Sequence, residues 1–513
     1  FQLTIDGGAG NDTLIGGQGN DVLLGGAGND LVVGGRGADQ AFLGSGNDTF
    51  TWNPGDGSDV VEGQGGFDTL QFNGSNAGEN INISANGSRV LLTRDVAAIT
   101  MDLNGLEQIN VVALGGADNI NVQDLSGTDV KQVHVDLSGQ PLSGTGAGDG
   151  SADNVTVNGT SGNDTVKVTS SATETIVSGL AAETHVAGAE TIDTVHVAGG
   201  AGNDVIDASA VTPGGPQLIL DGGTGNDKIT GSSGNDTILW NPGDGSDVVD
   251  GHGGFDTLQF NGAAGNENIN ISANGSHALL TRDVGQVTMD LNGVSQINVT
   301  ANGGTDSINV NDMTGTDVKQ VHVDLSAPPG GGIGDGQLDN VTVNATKGAD
   351  VVTLTSNGTE TVVGGLAAET HVDHGETTDT ITVLSGAGDD VINASAVIAG
   401  GAKLVLNGGD GNDLIVGSAG DDVLIGGAGD DVLIGNGGHD VFDAGTGNNV
   451  VFNFSATSDQ IDLRSLSGGH SADWALAQAH DVDGNVVFNF GDEQVTLMHE
   501  TVAALNASDF LMS

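Results

Sequence analysis

The chain has no cysteine and no tyrosine, and its 513 residues include only 11 lysines and arginines and 3% aromatics. Each shortage excludes something. Without cysteine there is neither a disulfide nor a thiolate metal site. Without tyrosine there is no phenolic acid or base for catalysis. Against 68 acidic residues the few basic ones leave a formal net charge of −57. That is too little positive charge to neutralise the phosphates of a nucleic acid, and anionic membranes repel such a chain. No apolar run approaches the roughly 18 residues of a membrane-spanning helix, so neither nucleic-acid binding nor membrane insertion is expected. The scarcity of aromatic side chains argues against an ordinary globular core.

What the chain has in quantity is glycine, 89 residues of it, and a 36% hydrophobic fraction concentrated at regular positions. The regularity is a nine-residue unit, G-G-x-G-x-D-x-U-x, with U a large apolar residue. It runs as GGAGNDTLI, GGQGNDVLL and GGAGNDLVV from Gly7 to Val33, and as GGDGNDLIV, GSAGDDVLI and GGAGDDVLI from Gly408 to Ile434. The sixth-position carboxylates are Asp12, Asp21, Asp30, Asp39 and Asp48, then Asp59 and Asp68 after an interruption at Trp52 and Asn53. A middle block carries Asp227 and Asp236, then Asp247 and Asp256 after the same interruption at Trp240 and Asn241. A third carries Asp413, Asp422, Asp431 and Asp440. Glycines at the first, second and fourth positions permit a tight turn with positive φ and leave carbonyl oxygens unobstructed. The aspartate supplies the hard anionic oxygen that calcium prefers. The eighth residue (Leu14, Leu23, Val32, Leu424, Leu433) opens a short strand and points into the core.

A longer repeat is superimposed. WNPGDGSDVV occurs at Trp52 and Trp240, and NINISANGS, LLTRDV, GTDVKQVHVDLS and GLAAETHV recur in the same order. The chain therefore divides into nonapeptide blocks at 1–74, 199–262 and 386–453, two copies of a β-rich module at 75–198 and 263–385, and a capping segment at 454–513 that also suits a secretion signal. In the modules Val and Ile alternate with Asn, Thr and Asp, a strand pattern broken by Gly, Asn and Ser turns. One β-solenoid running through degenerate, metal-poor coils is favoured, with separate β-sandwiches as the alternative. Lone units at Asp164, Asp204, Asp350 and Asp390 are divided evenly between simple turns and metal ligands. Gly139 to Gly150 and Pro328 to Gly336 read as exposed loops. In the tail, SADWALAQAHDV reads as a short amphipathic helix and NVVFNFGDEQVTLMHE as two strands.

On these motifs the chain resembles the RTX (repeats-in-toxin) family of hemolysin-type calcium-binding proteins, which leave bacteria by type I secretion. The tail ending Asp509-Phe510-Leu511 is similar to the family's C-terminal export regions. The resemblance implies an all-β fold: an elongated parallel β-roll or β-solenoid with calcium-binding turns and a C-terminal cap. It implies several Ca2+ ions held at the aspartates named above, and a place outside the cell or on its surface. Each unit would be half a coil, with Asp12, Asp30 and Asp48 on one edge and Asp21 and Asp39 on the other. Asp413 and Asp431 would oppose Asp422 and Asp440 in the same manner.

Catalytic motifs are missing. His499-Glu500 is followed by Thr501, Val502 and Ala503, so there is no H-E-x-x-H, and there is no G-x-S-x-G nucleophile elbow. His371, His374 and Glu376 have metal-ligand spacing, but the counterpart around His185 lacks the second histidine and a solvated strand edge is preferred. His134 and His322 stand in identical VHVDL strands and read as packing residues. Trp52 and Trp240 invite a carbohydrate-stacking reading, yet both fall at the register break and read as covers for it. The chain is therefore expected to contain no catalytic or organic-cofactor site. The reading is a secreted calcium-binding structural protein whose folding is triggered by extracellular calcium, in a surface layer, fibre, matrix or adhesin. Its expected partners are calcium ions, further copies of itself in fibres or lattices, and cell-surface polysaccharide. The alternative is the calcium-dependent folding and secretion region of a secreted protease, lipase or polysaccharide-modifying enzyme with its catalytic domain before Phe1.

Overall fold

In each nonapeptide the glycine-rich stretch turns the chain, and the residues after the aspartate continue as a strand. The computed structural model describes residues 1–139, 148–328, 331–466, 468 and 470–512. Most of the loop expected from Gly139 to Gly150 lies outside the described residues, as do two positions of the Pro328 to Gly336 loop. Strands Thr13–Gln18, Val22–Ala27, Leu31–Arg36 and Gln40–Ser45 follow one per unit. Thr13–Gln18 pairs in parallel with Leu31–Arg36, placing Leu14 opposite Val32. Val22–Ala27 pairs likewise with Gln40–Ser45, placing Leu23 opposite Ala41. Successive units thus feed two sheets in turn, and two units complete a coil. Side chains alternate across a strand, so Leu14, Leu23, Val32, Leu424 and Leu433 are buried while Ile15 and Leu31 face outward. Each buried Leu or Val contributes about 1.5–3 kcal/mol, but only against the coil beside it, which is why such folds need consecutive repeats.

The chain forms two compact units, Phe1–Thr257 and Leu258–Ser513. Within each, the module strands stay in the same pair of sheets, so among the described residues no separate sandwich forms. They are not plain coils either. In the first unit Asn80–Asn86, Arg89–Arg94 and Ile99–Asn104 form an antiparallel meander. Ile99–Asn104 lies parallel to Val60–Gly65, and Asn80–Asn86 lies parallel to Asn119–Val122. The chain overshoots by two strand positions and folds back to fill them. A second meander, Thr165–Ser170, Glu174–Ser178 and Glu183–Ala187, does the same in the opposite sheet. One meander in each sheet keeps the two sheets in step. The second unit repeats the device with Asn268–Asn274, His277–Arg282 and Val287–Asn292, and with Val351–Ser356, Glu360–Gly364 and Glu369–Asp373.

The Trp-Asn interruptions are closed by their own tryptophans. Trp52 and Trp240 are fully buried, and their Nε1 atoms donate to the Gly57 and Gly245 carbonyls at 2.7 and 3.0 Å. Trp52 also stacks on Phe72 at 4.3 Å, so neither indole offers a face to a sugar. In the tail, Glu493–Leu497 lies parallel to Asn448–Phe452, and Phe510–Leu511 beside Gln460–Asp462, covering the last coil. The expected helix is shorter than its sequence suggested. It spans only Ala472–Ala477, and Ala479–Val482 pairs with Asn485–Phe490 instead. The reason is local: Asp483 and Gly484 take positive φ (50° and 81°), the two-residue turn that closes a hairpin.

Candidate metal centre: the carboxylate ladders

The unit aspartates are stacked into ladders. The backbone N–H of Asp12 donates to Asp30 Oδ1 at 2.8 Å, Asp30 to Asp48 at 2.7 Å and Asp48 to Asp68 at 2.9 Å. The other ladder runs from Leu3 to Asp21, Asp39 and Asp59 at 2.6, 2.6 and 2.9 Å. Asp227 donates to Asp247, Asp236 to Asp256, Asp413 to Asp431 and Asp422 to Asp440, at 2.8, 2.9, 2.9 and 3.0 Å. Apart from the half-buried Asp12, all of these aspartates are buried.

One oxygen of each carboxylate is thus accounted for, and the other is the informative one. The Oδ2 atoms of Asp12, Asp21, Asp30, Asp39, Asp48, Asp59, Asp68, Asp227, Asp256, Asp413 and Asp431 are buried with no hydrogen-bond partner. A buried acceptor left without a partner costs about 1–3 kcal/mol, more when it is charged. Asp236 and Asp422 differ. Their units begin Gly-Ser, and the serine N–H (Ser232, Ser418) donates to Oδ2 at 2.5 Å while its hydroxyl bonds Oδ1. These two carboxylates are the least in need of a cation.

The first glycine of the unit reveals what surrounds the orphan oxygen. A Cβ on Gly7 would lie 2.6 Å from the Gly25 carbonyl and 3.0 Å from Asp12 Oδ2. On Gly25 it would lie 2.2 Å from the Leu43 carbonyl and 2.8 Å from Asp30 Oδ2, and on Gly426 2.4 Å from Asp431 Oδ2 and 2.6 Å from the Ala444 carbonyl. A carboxylate oxygen and a carbonyl oxygen from the next coil converge over each of these glycines. This corrects the expectation that all three glycines serve positive φ. Gly8 and Gly10 do, at 86° and 122°, but the first position is glycine because a side chain would fill the oxygen-lined cradle. Converging carboxylate and carbonyl oxygens are the donor set of calcium.

Electrostatics point the same way. Burial, reinforced by the neighbouring carboxylates and opposed by the backbone hydrogen bonds, pushes Asp59 up to about 8. It pushes Asp247, Asp256 and Asp440 up to about 7, and Asp68, Asp227 and Asp431 up to about 6. Such groups need a proton or a metal ion in order to stay buried.

The ladders also extend through the lone units and through positions the nonapeptide does not mark. Asp164 donates to Asp204 and Asp204 to Asp227, both at 2.7 Å; Asp350 donates to Asp390 at 2.7 Å and Asp390 to Asp413 at 2.8 Å. Glu79 donates to Asp118, Asp118 to Asp153 and Asp153 to Asp193 at 2.7, 2.8 and 2.9 Å. Glu267, Asp306, Asp339 and Asp379 repeat that run at 2.8, 2.7 and 3.0 Å. At Glu79 and Glu267 the chain supplies its own cation: the buried guanidinium groups of Arg94 and Arg282 hold their Oε1 atoms. The signal for the missed aspartates is Asp-x-(Val/Ile)-x-Val, as in Asp118-Asn-Ile-Asn-Val and Asp153-Asn-Val-Thr-Val.

The histidine cluster considered from sequence does not converge. His374 Nδ1 meets Asp324 Oδ1 at 2.9 Å, while Glu376 accepts from the Gly336 N–H at 2.8 Å. His371 instead pairs with Glu360.

With this geometry in place, the comparison with known proteins is direct. The RTX calcium-binding nonapeptide repeat matches residues 4–32, 15–50, 54–71, 196–210, 219–239, 405–433 and 416–451. The chain carries RTX calcium-binding repeats. The matches fall on the ladder blocks and leave out most of the two modules. No curated protein matches the chain. Among solved structures, the extracellular lipase LipA from Serratia marcescens is similar over 61% of this chain at 16% identity, with a TM-score of 0.22. The likeness spans 45% of the lipase chain and carries no argument about activity.

Proposed function

We propose that this is a secreted structural protein whose RTX repeats fold on meeting extracellular calcium, and that the folded chain contributes to a surface layer, extracellular fibre, matrix or adhesin. The observation that carries the reading is the row of buried, partnerless Oδ2 atoms facing backbone carbonyls. Asp12, Asp21, Asp30, Asp39, Asp48, Asp59, Asp68, Asp227, Asp256, Asp413 and Asp431 are the residues that would hold calcium, with Asp247 and Asp440 beside them in the ladders. Bound calcium supplies a divalent counter-charge and satisfies these oxygens. Extracellular calcium modules bind at about 10⁻⁴–10⁻³ M, so the chain would stay unfolded in a cell interior and fold outside, a sequence of events that suits type I export. Once calcium offsets part of the −57 charge, exposed sheet edges become available for self-association or for polysaccharide.

The second reading, the folding and secretion region of a secreted enzyme, is favoured by the same calcium dependence and by the missing catalytic motifs within the chain. Electron microscopy with and without calcium separates the two. Regular fibres or lattices that appear only with calcium are the expected outcome. Dispersed particles in saturating calcium would overturn the structural role.

A further inference from the structure

The two modules carry the same two histidines and two glutamates at one place and arrange the side chains differently. In the second unit, strands Gln320–Asp324 and Glu369–Asp373 pair in parallel with His322 opposite His371. The two imidazoles stack at 4.1 Å with planes 6° apart. Glu360, on the antiparallel strand Glu360–Gly364 alongside, brings Oε1 to 2.6 Å from His371 Nδ1. One ligand atom each from His322, His371 and Glu360 lie within 4.8 Å of one another. His371 Nε2 is buried without a hydrogen-bond partner, and the nearest carboxylate oxygen, Glu369 Oε2, stands 3.4 Å away.

We propose that His322, His371 and Glu360 bind a borderline transition-metal ion of the Zn2+ class. Two imidazole nitrogens and one carboxylate oxygen are donors for zinc, copper or nickel, whereas calcium takes an all-oxygen shell. Zinc bonds of about 2.0–2.2 Å place tetrahedral ligand atoms about 3.3 Å apart, so small side-chain rotations close the group around an ion. An ion there bonds His371 through Nδ1, the nitrogen that faces Glu360, and takes the place of their hydrogen bond. Three protein ligands leave a further position open to water. The strong negative charge of the chain concentrates divalent cations near the site.

The first unit supplies an internal control. His134 and His185 stack in the same way, at 4.3 Å and 7°. There both nitrogens of His185 are already taken, by Glu174 at 3.2 Å and Glu183 at 2.7 Å. Among the described residues, only the second unit brings three such ligand atoms this close.

The test uses the full chain saturated with calcium, so that the ladders are occupied. Calorimetric titration with Zn2+ should detect one site that His322→Gln weakens at least about tenfold and that His134→Gln leaves unchanged. Co2+ should give the visible absorption of a nitrogen-ligated, low-coordinate ion. Equal zinc affinity in wild type and His322→Gln, or a cobalt spectrum no different from the aquated ion, would overturn the site. Circular dichroism in calcium verifies that each variant folds. Should His322→Gln fail to fold, Glu360→Gln carries the same comparison.

Discussion

A ladder aspartate has one oxygen bonded to the backbone of the next coil and the other facing a carbonyl, and this division sets its energetics. The hydrogen bond needs only an acceptor. Asn449 fills the same role for Asp431 at 2.8 Å, so the negative charge serves something other than the ladder. Its consequence is a pH dependence with a definite sign. In the folded chain Asp59 rises from 3.8 to about 8, and Asp247, Asp256 and Asp440 to about 7. A carboxyl whose folded value exceeds its unfolded value holds its proton more tightly when folded. Its contribution is complete below about pH 4 and is lost as the pH rises through the folded values, from about 6 to 8. The little β structure left in chelator should therefore be lower at pH 8 than at pH 5, and saturating calcium should remove most of that difference. Circular dichroism of chelator-treated, desalted protein at the two pH values reads this directly. A calcium-free β signal that rises or stays level from pH 5 to pH 8 contradicts it.

At the scale of elements, the meanders bring the arginines to the ladder. Arg94 ends the second strand of its meander, and Arg282 does so in the other unit. Each reaches across a hairpin to a buried glutamate in a ladder position. Removing one partner of a buried ion pair costs about 3–5 kcal/mol. Arg94→Met should lower stability to urea by that amount even in saturating calcium, while Arg36→Met, on an exposed strand end, should not. An unchanged urea midpoint for Arg94→Met would show that Glu79 is compensated in another way. None of this was legible beforehand. The nonapeptide blocks could be read because their spacing is constant, so glycine, aspartate and apolar residue each predicted their place. In the modules, loops and meanders separate successive ladder carboxylates such as Glu79 and Asp118 by 39 residues, and the glycine frame that marked the turns is lost. The alternating strands were visible, but which sheet each joined was not. That depended on the overshoot, whose local sign was the positive-φ Gly87 between Asn86 and Arg89.

Across the whole molecule, two kinds of cation site share the work of neutralising buried acid. The modules carry fixed guanidinium groups at Glu79 and Glu267 beside partnerless oxygens at Asp118 and Asp306, and the RTX blocks carry rows of partnerless carboxylates that call for calcium. Metal binding to such sites contributes folding free energy directly, because the unfolded chain has no preformed site. The aromatic-poor interior is built mainly from Val, Ile and Leu side chains that pack only coil against coil. The measurement that bears most directly on this account is far-ultraviolet circular dichroism of the whole chain during a calcium titration from excess chelator. The account predicts little β signal in chelator and a steep, reversible rise between about 10⁻⁴ and 10⁻³ M calcium. Full β content in excess chelator, unaltered by added calcium, would contradict it.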